Sequence, residues 1–332
     1  MSFSSAAFAR PLRIVIPGGS GQVGGLLAHF LEERGHHVTV LTRSPFAASW
    51  NTVHWDGEHL GPWTEQLEGA DVCINLAGRS VNCRYTPANR DAIYHSRIDT
   101  TQLLGDVIAA LEDPPKVWLN ASTATIYRHA LDRPMEEFTG ELGGNEMLTP
   151  SRRVPETWNF SIRVARDWEA AFFASGTSRT RKVALRSAIV MSPTSGGPFE
   201  ILLNLVRLSL GGAQGNGRQL VSWIHTLDFA RAVEFLIARD DLQGPVNLAA
   251  PNPLPNREFM ATLREAWGMP NGIPAPAPLL ELAALLLRTE SELVLKSRYV
   301  IPARLLREGF EFQFPTWAEA AEDLVRQYRQ RP

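Results

Sequence analysis

Pro17-Gly18-Gly19-Ser20-Gly21-Gln22-Val23-Gly24 is the stretch on which the fold turns. Before it runs Leu12-Arg13-Ile14-Val15-Ile16, a short β-branched strand. After it Leu26, Leu27, Phe30 and Leu31 recur at helical spacing until Gly35. Strand, glycine loop and helix in this order form the phosphate-binding unit of a dinucleotide fold. Gly18 allows a tight turn, Gly21 lets the backbone approach a pyrophosphate, and Gly24 lets the helix sit close to the sheet. Gly19, Ser20, Gln22 and Val23 complete the loop, and the helix N-terminus offers unpaired N–H groups to an anion.

Outward from this unit, the pattern repeats. His37-Val38-Thr39-Val40-Leu41 predicts a second strand and Val53-His54-Trp55 a third. Asp71 to Gly78 is a nearly continuous apolar run ending in small residues, as a central parallel strand requires. A helix is predicted over about Asn89–Leu111, stopped by Pro114-Pro115. The strand and turn Val117–Thr123 follow, then a charged, Gly- and Pro-containing loop over Asp132–Pro155, a helix over Phe160–Ala174 and a strand over Val183–Arg186. Alternation of this kind implies an α/β, doubly wound parallel sheet. Residues 11–190 are assigned to the dinucleotide-binding domain, with 219–250 returning to it through Val246-Asn247-Leu248. Residues 191–218 and 251–325 are assigned to a smaller, interleaved substrate-side lobe.

Composition narrows the function. The 332 residues are 44% hydrophobic and carry a formal net charge of −2, enough apolar material for a large core and no electrostatic footprint for nucleic acid or an anionic membrane. Of 33 basic residues only Lys116, Lys182 and Lys296 are lysines. Cys73 and Cys83 have neither metal-ligand nor disulfide spacing, and no metal is expected. Residues 1–11 lack the apolar core of a signal peptide, so a cytoplasmic location is expected. Leu279–Leu287 is too short to span a membrane and contains Glu281; as a buried or interfacial helix it could serve a partner or a homodimer.

The second strand ends Leu41-Thr42-Arg43-Ser44, without the acid that selects NAD. A guanidinium there suits a 2′-phosphate, so NADP is expected ahead of NAD. Asp56, just beyond the third strand, is placed to accept from the adenine amino group or, equally, is an aspartate of a surface turn. Leu76, Ala77 and Gly78 are expected along the cofactor at the fourth strand's end.

These features resemble the extended short-chain dehydrogenase/reductase superfamily. The likeness continues through Asn75-Leu76-Ala77-Gly78, Ser96-Arg97-Ile98-Asp99-Thr100-Thr101, Ala121–Tyr127, Trp168-Glu169, Leu185-Arg186, Gly215–Gln219, Trp223–Asp228 and Gly244–Leu248. The later signatures, with Pro302–Phe312, resemble its atypical epimerase branch, the NAD-dependent epimerase/dehydratase-like or cell-division-inhibitor-like proteins. The resemblance spans about Leu12–Leu324. It implies that Ser122 and the segment beginning at Ser187 approach the cofactor and that Thr123 orients a substrate hydroxyl or carbonyl.

The superfamily's usual Tyr-x-x-x-Lys pair is missing. Four residues before the three lysines stand Glu112, Ser178 and Glu292. Alignment from Glu169 puts Ser161 at the Tyr position and Ala165 at the Lys position. Tyr127, at the end of the turn after Thr123, is the candidate proton donor; Arg128 stands after it where the branch usually has glycine. His225 is read as a buried histidine or an acid/base group before a helix that Thr226 or Asp228 could cap. Arg84 and Tyr85 could face the substrate, and Arg186 could bind either an anionic substrate or a carboxylate of its own fold. The resulting expectation is an NADP(H)-dependent oxidoreductase or epimerase-like protein acting on a small polar substrate. The alternative is an NADP(H)-binding sensor with little turnover.

Overall fold

A computed structural model of the chain describes residues 8–144, 147–149, 152–286 and 290–331. Residues 1–7 of the N-terminal stretch, parts of the 132–155 loop and Leu287 therefore lie outside the described residues.

Seven parallel strands build one sheet: β1 (Arg13–Pro17), β2 (His37–Thr42), β3 (Asn51–His54), β4 (Val72–Asn75), β5 (Val117–Thr123), β6 (Arg181–Ser187) and β7 (Gly244–Leu248). Their order across the sheet is β7-β6-β5-β4-β1-β2-β3. The order reverses between β1 and β4, the switch point where doubly wound sheets bind ligands. Each central strand is apolar on both faces because helices cover both. Ile14, Ile16, Ile74 and Leu119 point to one side, against Leu27 and Leu31 of α1 (Gln22–Glu33). Phe229 and Val233 of a later helix, Thr226–Ala238, join them there. Val15, Cys73 and Trp118 alternate to the other side, against Leu104 and Ile108 of α2 (Pro87–Ala110) and Phe172 of α3 (Glu156–Ala174). Pro87 at the first helical position and Thr86, whose Oγ1 accepts from the Asn89 N–H at 3.3 Å, start α2 two residues earlier than the apolar spacing predicts. Likewise α3 begins at Glu156 rather than Phe160: the Pro155 carbonyl accepts from the Trp158 and Asn159 N–H groups, and Trp158 is already buried in the first turn.

A second cluster packs α4 (Pro198–Arg207), α6 (Asn256–Trp267) and α10 (Trp317–Arg329), with α5 (Thr226–Ala238) on the sheet side. Trp317 anchors it: its ring stacks on Phe259 at 4.0 Å and its Nε1 donates to the Phe259 carbonyl at 2.9 Å. Trp223 is fully buried against Trp317. Between α6 and α10 lie α7 (Ala277–Leu286), α8 (Glu292–Leu295) and α9 (Ala303–Arg307). In α7, Leu279, Leu282 and Leu285 are each more than half exposed. Among the described residues no helix is long and apolar enough to cross a membrane.

The segment carrying α8 is stitched onto the nucleotide-binding half. Ser297 Oγ donates to the Ala130 carbonyl at 2.5 Å, Ser222 Oγ to the Arg298 carbonyl at 2.6 Å, and Lys296 Nζ to the Thr125 carbonyl at 2.8 Å. These bonds fix Glu292 and Arg298 at the mouth of a cleft formed by the strand ends.

Candidate active site

The glycine loop has the shape its spacing predicts. Gly18 has φ +73°, and a Cβ on it would stand 2.5 Å from the Cα of Ala77. A Cβ on Gly24 would stand 2.5 Å from the Cα of Gly19, so only glycine lets α1 enter this close to the turn. Gly21, by contrast, faces open space. It is the N-cap of α1 and supplies no side-chain bond, which leaves the first-turn N–H groups available to a diphosphate. Gln22 donates to Thr194 Oγ1 and to the Thr194 carbonyl. Val23 lines the cleft and Ser20 is exposed.

At the end of β2, Thr42 is buried while Arg43 and Ser44 are exposed. The Arg43 guanidinium has no partner among the described residues, and its carbonyl is 3.1 Å from His54 Nδ1. Asp56 serves its own turn: Oδ1 accepts from the N–H groups of Glu58 and His59, and Oδ2 lies 2.8 Å from His59 Nδ1. These bonds hold its pKa well below the usual carboxylate range.

Beside the strand ends opens a cleft of about 300 Å³. Leu76, Ala77, Gly78, Ser122, Thr123 and Ser187 line it, together with Ser161 and Ala165 of α3. Thr123 Oγ1 accepts from the Thr125 N–H at 3.1 Å, and Ser187 Oγ donates to the Ala188 carbonyl at 2.8 Å. Ser122 Oγ donates to Glu169 Oε1 at 2.5 Å, so its hydroxyl is committed to the protein.

Tyr127 is a correction. It is 1% exposed and does not line the cleft. Its hydroxyl donates to Asn247 Oδ1 at 2.8 Å and accepts from Arg186 Nη1 at 2.9 Å. Burial pushes its pKa up to about 12. A phenol tied in this way is a structural group, which removes it as the proton donor. Arg186 binds a carboxylate of its own fold: Nε and Nη2 reach Glu169 Oε1 and Oε2 at 2.8 and 2.7 Å. His225 does not line the cleft either. Its own ring caps α5, Nδ1 accepting from the Leu227 N–H at 3.1 Å, while Asp228 instead accepts from the N–H groups of Gln313 and Phe314. Burial lowers the His225 pKa to about 4.

The groups that do meet in the cleft are marked by the sequence only in part. Ser161 Oγ lies 2.6 Å from Glu292 Oε2 and 3.3 Å from the Tyr85 hydroxyl. Tyr85 is nearly buried against Phe160, and desolvation, with the charge of Glu292, pushes its pKa up to about 12. Glu292 is 1% exposed. Its Oε1 has no hydrogen bond among the described residues, and Lys296 Nζ and Arg298 Nη2 stand 3.9 and 3.8 Å away. Burial raises its pKa despite these cations. Arg84 lies 3.4 Å from buried Glu290, whose other oxygen accepts from the Tyr85 N–H. Glu292 carries no sequence mark of its own, since it reaches Ser161 only through the fold. Among the described residues no three His, Cys, Asp or Glu side chains gather as a metal site requires.

With this geometry established, known proteins supply context. The profile of the NAD dependent epimerase/dehydratase family matches residues 14–151, and that of a domain of unknown function, DUF1731, matches residues 275–324. An epimerase family protein of Staphylococcus epidermidis is 32% identical over 314 residues, covering 95% of this chain and 99% of that protein. The chain belongs to the epimerase family. Human epimerase family protein SDR39U1 is 30% identical to this epimerase-family chain over 319 residues, covering 95% of it and 100% of the human protein. A crystal structure of human SDR39U1 (isoform 2) with NADPH superposes with a TM-score of 0.81 at 28% identity, covering 95% of this chain and 99% of that one. Tyr85 and Ser161 come from the part before the DUF1731 match, whereas Glu292, Lys296 and Arg298 fall within it.

Proposed function

We propose that this epimerase-family protein binds NADP(H) and performs oxidoreductase or epimerase-like chemistry on a small polar substrate in the cleft. The observation that carries the reading is the glycine loop: Gly18 and Gly24 pressed against backbone, Gly21 open, and an uncapped helix start behind it. The human SDR39U1 crystal structure with NADPH supports the cofactor. So does Arg43, an exposed cation at the end of β2 where NAD-selecting folds place an acid. Residues 18–24 would hold the diphosphate, Arg43 and Ser44 the 2′-phosphate, Asp56 the adenine edge, and Leu76 to Gly78 and Ser187 the floor.

When bound, the nicotinamide supplies or accepts a hydride. Thr123, on the cleft wall, orients the substrate oxygen. Tyr85 keeps its proton at neutral pH and gives it only to a strongly basic oxygen such as a developing alkoxide. Ser161 sits between Tyr85 and Glu292, so a proton leaving the phenol is replaced by the serine's, and the serine's by that of protonated Glu292, which is left as a carboxylate beside Lys296 and Arg298.

Titration calorimetry with NADPH and NADH tests the first part: saturable NADPH uptake, tighter than NADH, is expected, and absence of uptake overturns it. Steady NADPH oxidation across a panel of small carbonyl compounds, lost in Tyr85→Phe, supports the chemistry. A single stalled turnover favours the sensor instead, a reading supported by the serine and alanine at the places of the usual Tyr and Lys.

A further inference from the structure

Among the described residues, the charged side chains that line the cleft are Arg97, Arg298 and Glu292. Glu290 faces Arg84, and Glu292 is shared between Lys296 and Arg298. Arg97 has no acid beside it among the described residues.

Arg97 projects from α2 onto the cleft wall. Its guanidinium is hemmed in: Cζ lies 5.2 Å from the centre of the Trp168 ring, and a Cβ on Gly78 would meet it at 3.2 Å. Gly78 is therefore the gap in which the guanidinium rests. Its Nη1 donates to the Ile93 carbonyl at 3.0 Å, one turn back on α2. Nε and Nη2 have no hydrogen-bond partner among the described residues. The titratable groups that act on it are Tyr85 and Cys83, neither of them an acid at neutral pH, and burial lowers its pKa to about 10. A desolvated guanidinium without a counter-ion is costly in a protein interior. One that is pre-positioned on an aromatic ring, with its two-nitrogen edge unspent, matches a planar or tetrahedral oxyanion.

We propose that Arg97 is the anchor for a carboxylate or phosphate group of the substrate, with Arg298 completing the charge balance across the cleft. The proposal rests on the reading of this cleft as the substrate site and names the chemical class that site takes: a small oxyanion-bearing molecule rather than a neutral one.

The test is calorimetric titration of the full-length protein, nucleotide-free and saturated with NADPH, with malonate, inorganic phosphate and, as the neutral counterpart, malonamide. Tryptophan fluorescence provides a second readout because Trp168 lies beside the guanidinium. At least one anion is expected to bind saturably and malonamide not at all. Arg97→Met is expected to weaken the anion by about tenfold or more, as loss of a charge-assisted pair entails. Uptake of neither anion, or equal uptake by Arg97→Met, overturns the proposal. So does a variant that keeps the anion but loses NADPH, which would assign the guanidinium to the nucleotide's diphosphate. If Arg97→Met does not fold, Arg97→Lys decides: unchanged melting with weaker anion binding supports the fork, and equal affinity overturns it. Failure of NADPH to bind while malonate still does would sink the cofactor reading and leave this one standing.

Discussion

Among the buried carboxylates that meet arginine in this molecule, Glu169 and Glu292 are built to opposite standards. Glu169 and Arg186 form a closed pair, bidentate at 2.7 and 2.8 Å, with Ser122 and Tyr127 taking up neighbouring positions. Glu292 has one oxygen on Ser161 and the other without a hydrogen bond among the described residues, its cations 3.8 and 3.9 Å away. The first arrangement meets the bonding demand of a buried charge and has little left for a ligand. The second leaves capacity unspent and faces the cleft. Buried polar groups are hydrogen-bonded as a rule, so an exception beside a cavity is where binding or chemistry belongs.

The largest effect should come from breaking the closed pair. Arg186→Met leaves Glu169 buried without its partner and is expected to cost about 3–5 kcal/mol, measured by urea denaturation. The double variant Glu169→Leu, Arg186→Met should recover part of that loss, because an apolar pair carries no unpaired charge. A single variant within about 1 kcal/mol of wild type would show that the pair is not the structural element its geometry suggests.

Tyr127→Phe probes the same network more gently. It removes a donor to Asn247 and an acceptor for Arg186 while Glu169 stays paired. A loss of about 1–2 kcal/mol is expected, with NADPH affinity within about twofold of wild type. Unchanged stability together with lost turnover would restore the phenol to the chemistry. On the open side, Arg43→Ser is expected to raise the Kd for NADPH about tenfold and leave NADH nearly unchanged, since it removes one charge-assisted contact. Equal losses for both nucleotides would mean that Arg43 does not read the 2′-phosphate.

How far the sequence reveals each region follows from how local its determinants are. The glycine loop is legible because every constraint on it lies within a few residues of chain, and its strand and helix declare themselves by period. The helix start at Pro87 lies just outside its apolar pattern, so the Thr86 cap and the proline, not periodicity, mark it. The vacated catalytic pair can be read from Ser161 and Ala165, but its surroundings cannot. Glu292 lies 131 residues from Ser161 and Arg298 follows six residues after it; the segment that carries both is held by bonds to residues as distant in sequence as Thr125, Ala130 and Ser222. Tyr127 errs in the other direction. Its place beside Thr123 suggests the cleft, while the partners that turn it inward, Arg186 and Asn247, lie on β6 and β7.

The smallest expected effect is also the sharpest test of the contrast, because it separates an unspent carboxyl from a structural one. Burial raises the folded-state pKa of Glu292 above its ordinary 4.5. Above that ordinary value the unfolded chain has lost the proton while the folded protein still holds it. Folded protein then binds more protons, and stability must fall as pH rises from about 4.5 through the raised value. Glu292→Gln keeps the shape and the acceptor toward Ser161 but cannot lose a proton. It is expected to lie within about 1 kcal/mol of wild type at pH 7, since an amide in this place carries no desolvated charge, and to show a flatter stability profile above pH 4.5. Thermal melts of both proteins across that range decide the matter. A loss as large as that of Arg186→Met would show Glu292 to be as fully engaged as Glu169, and the distinction between the closed and the open carboxylate would disappear.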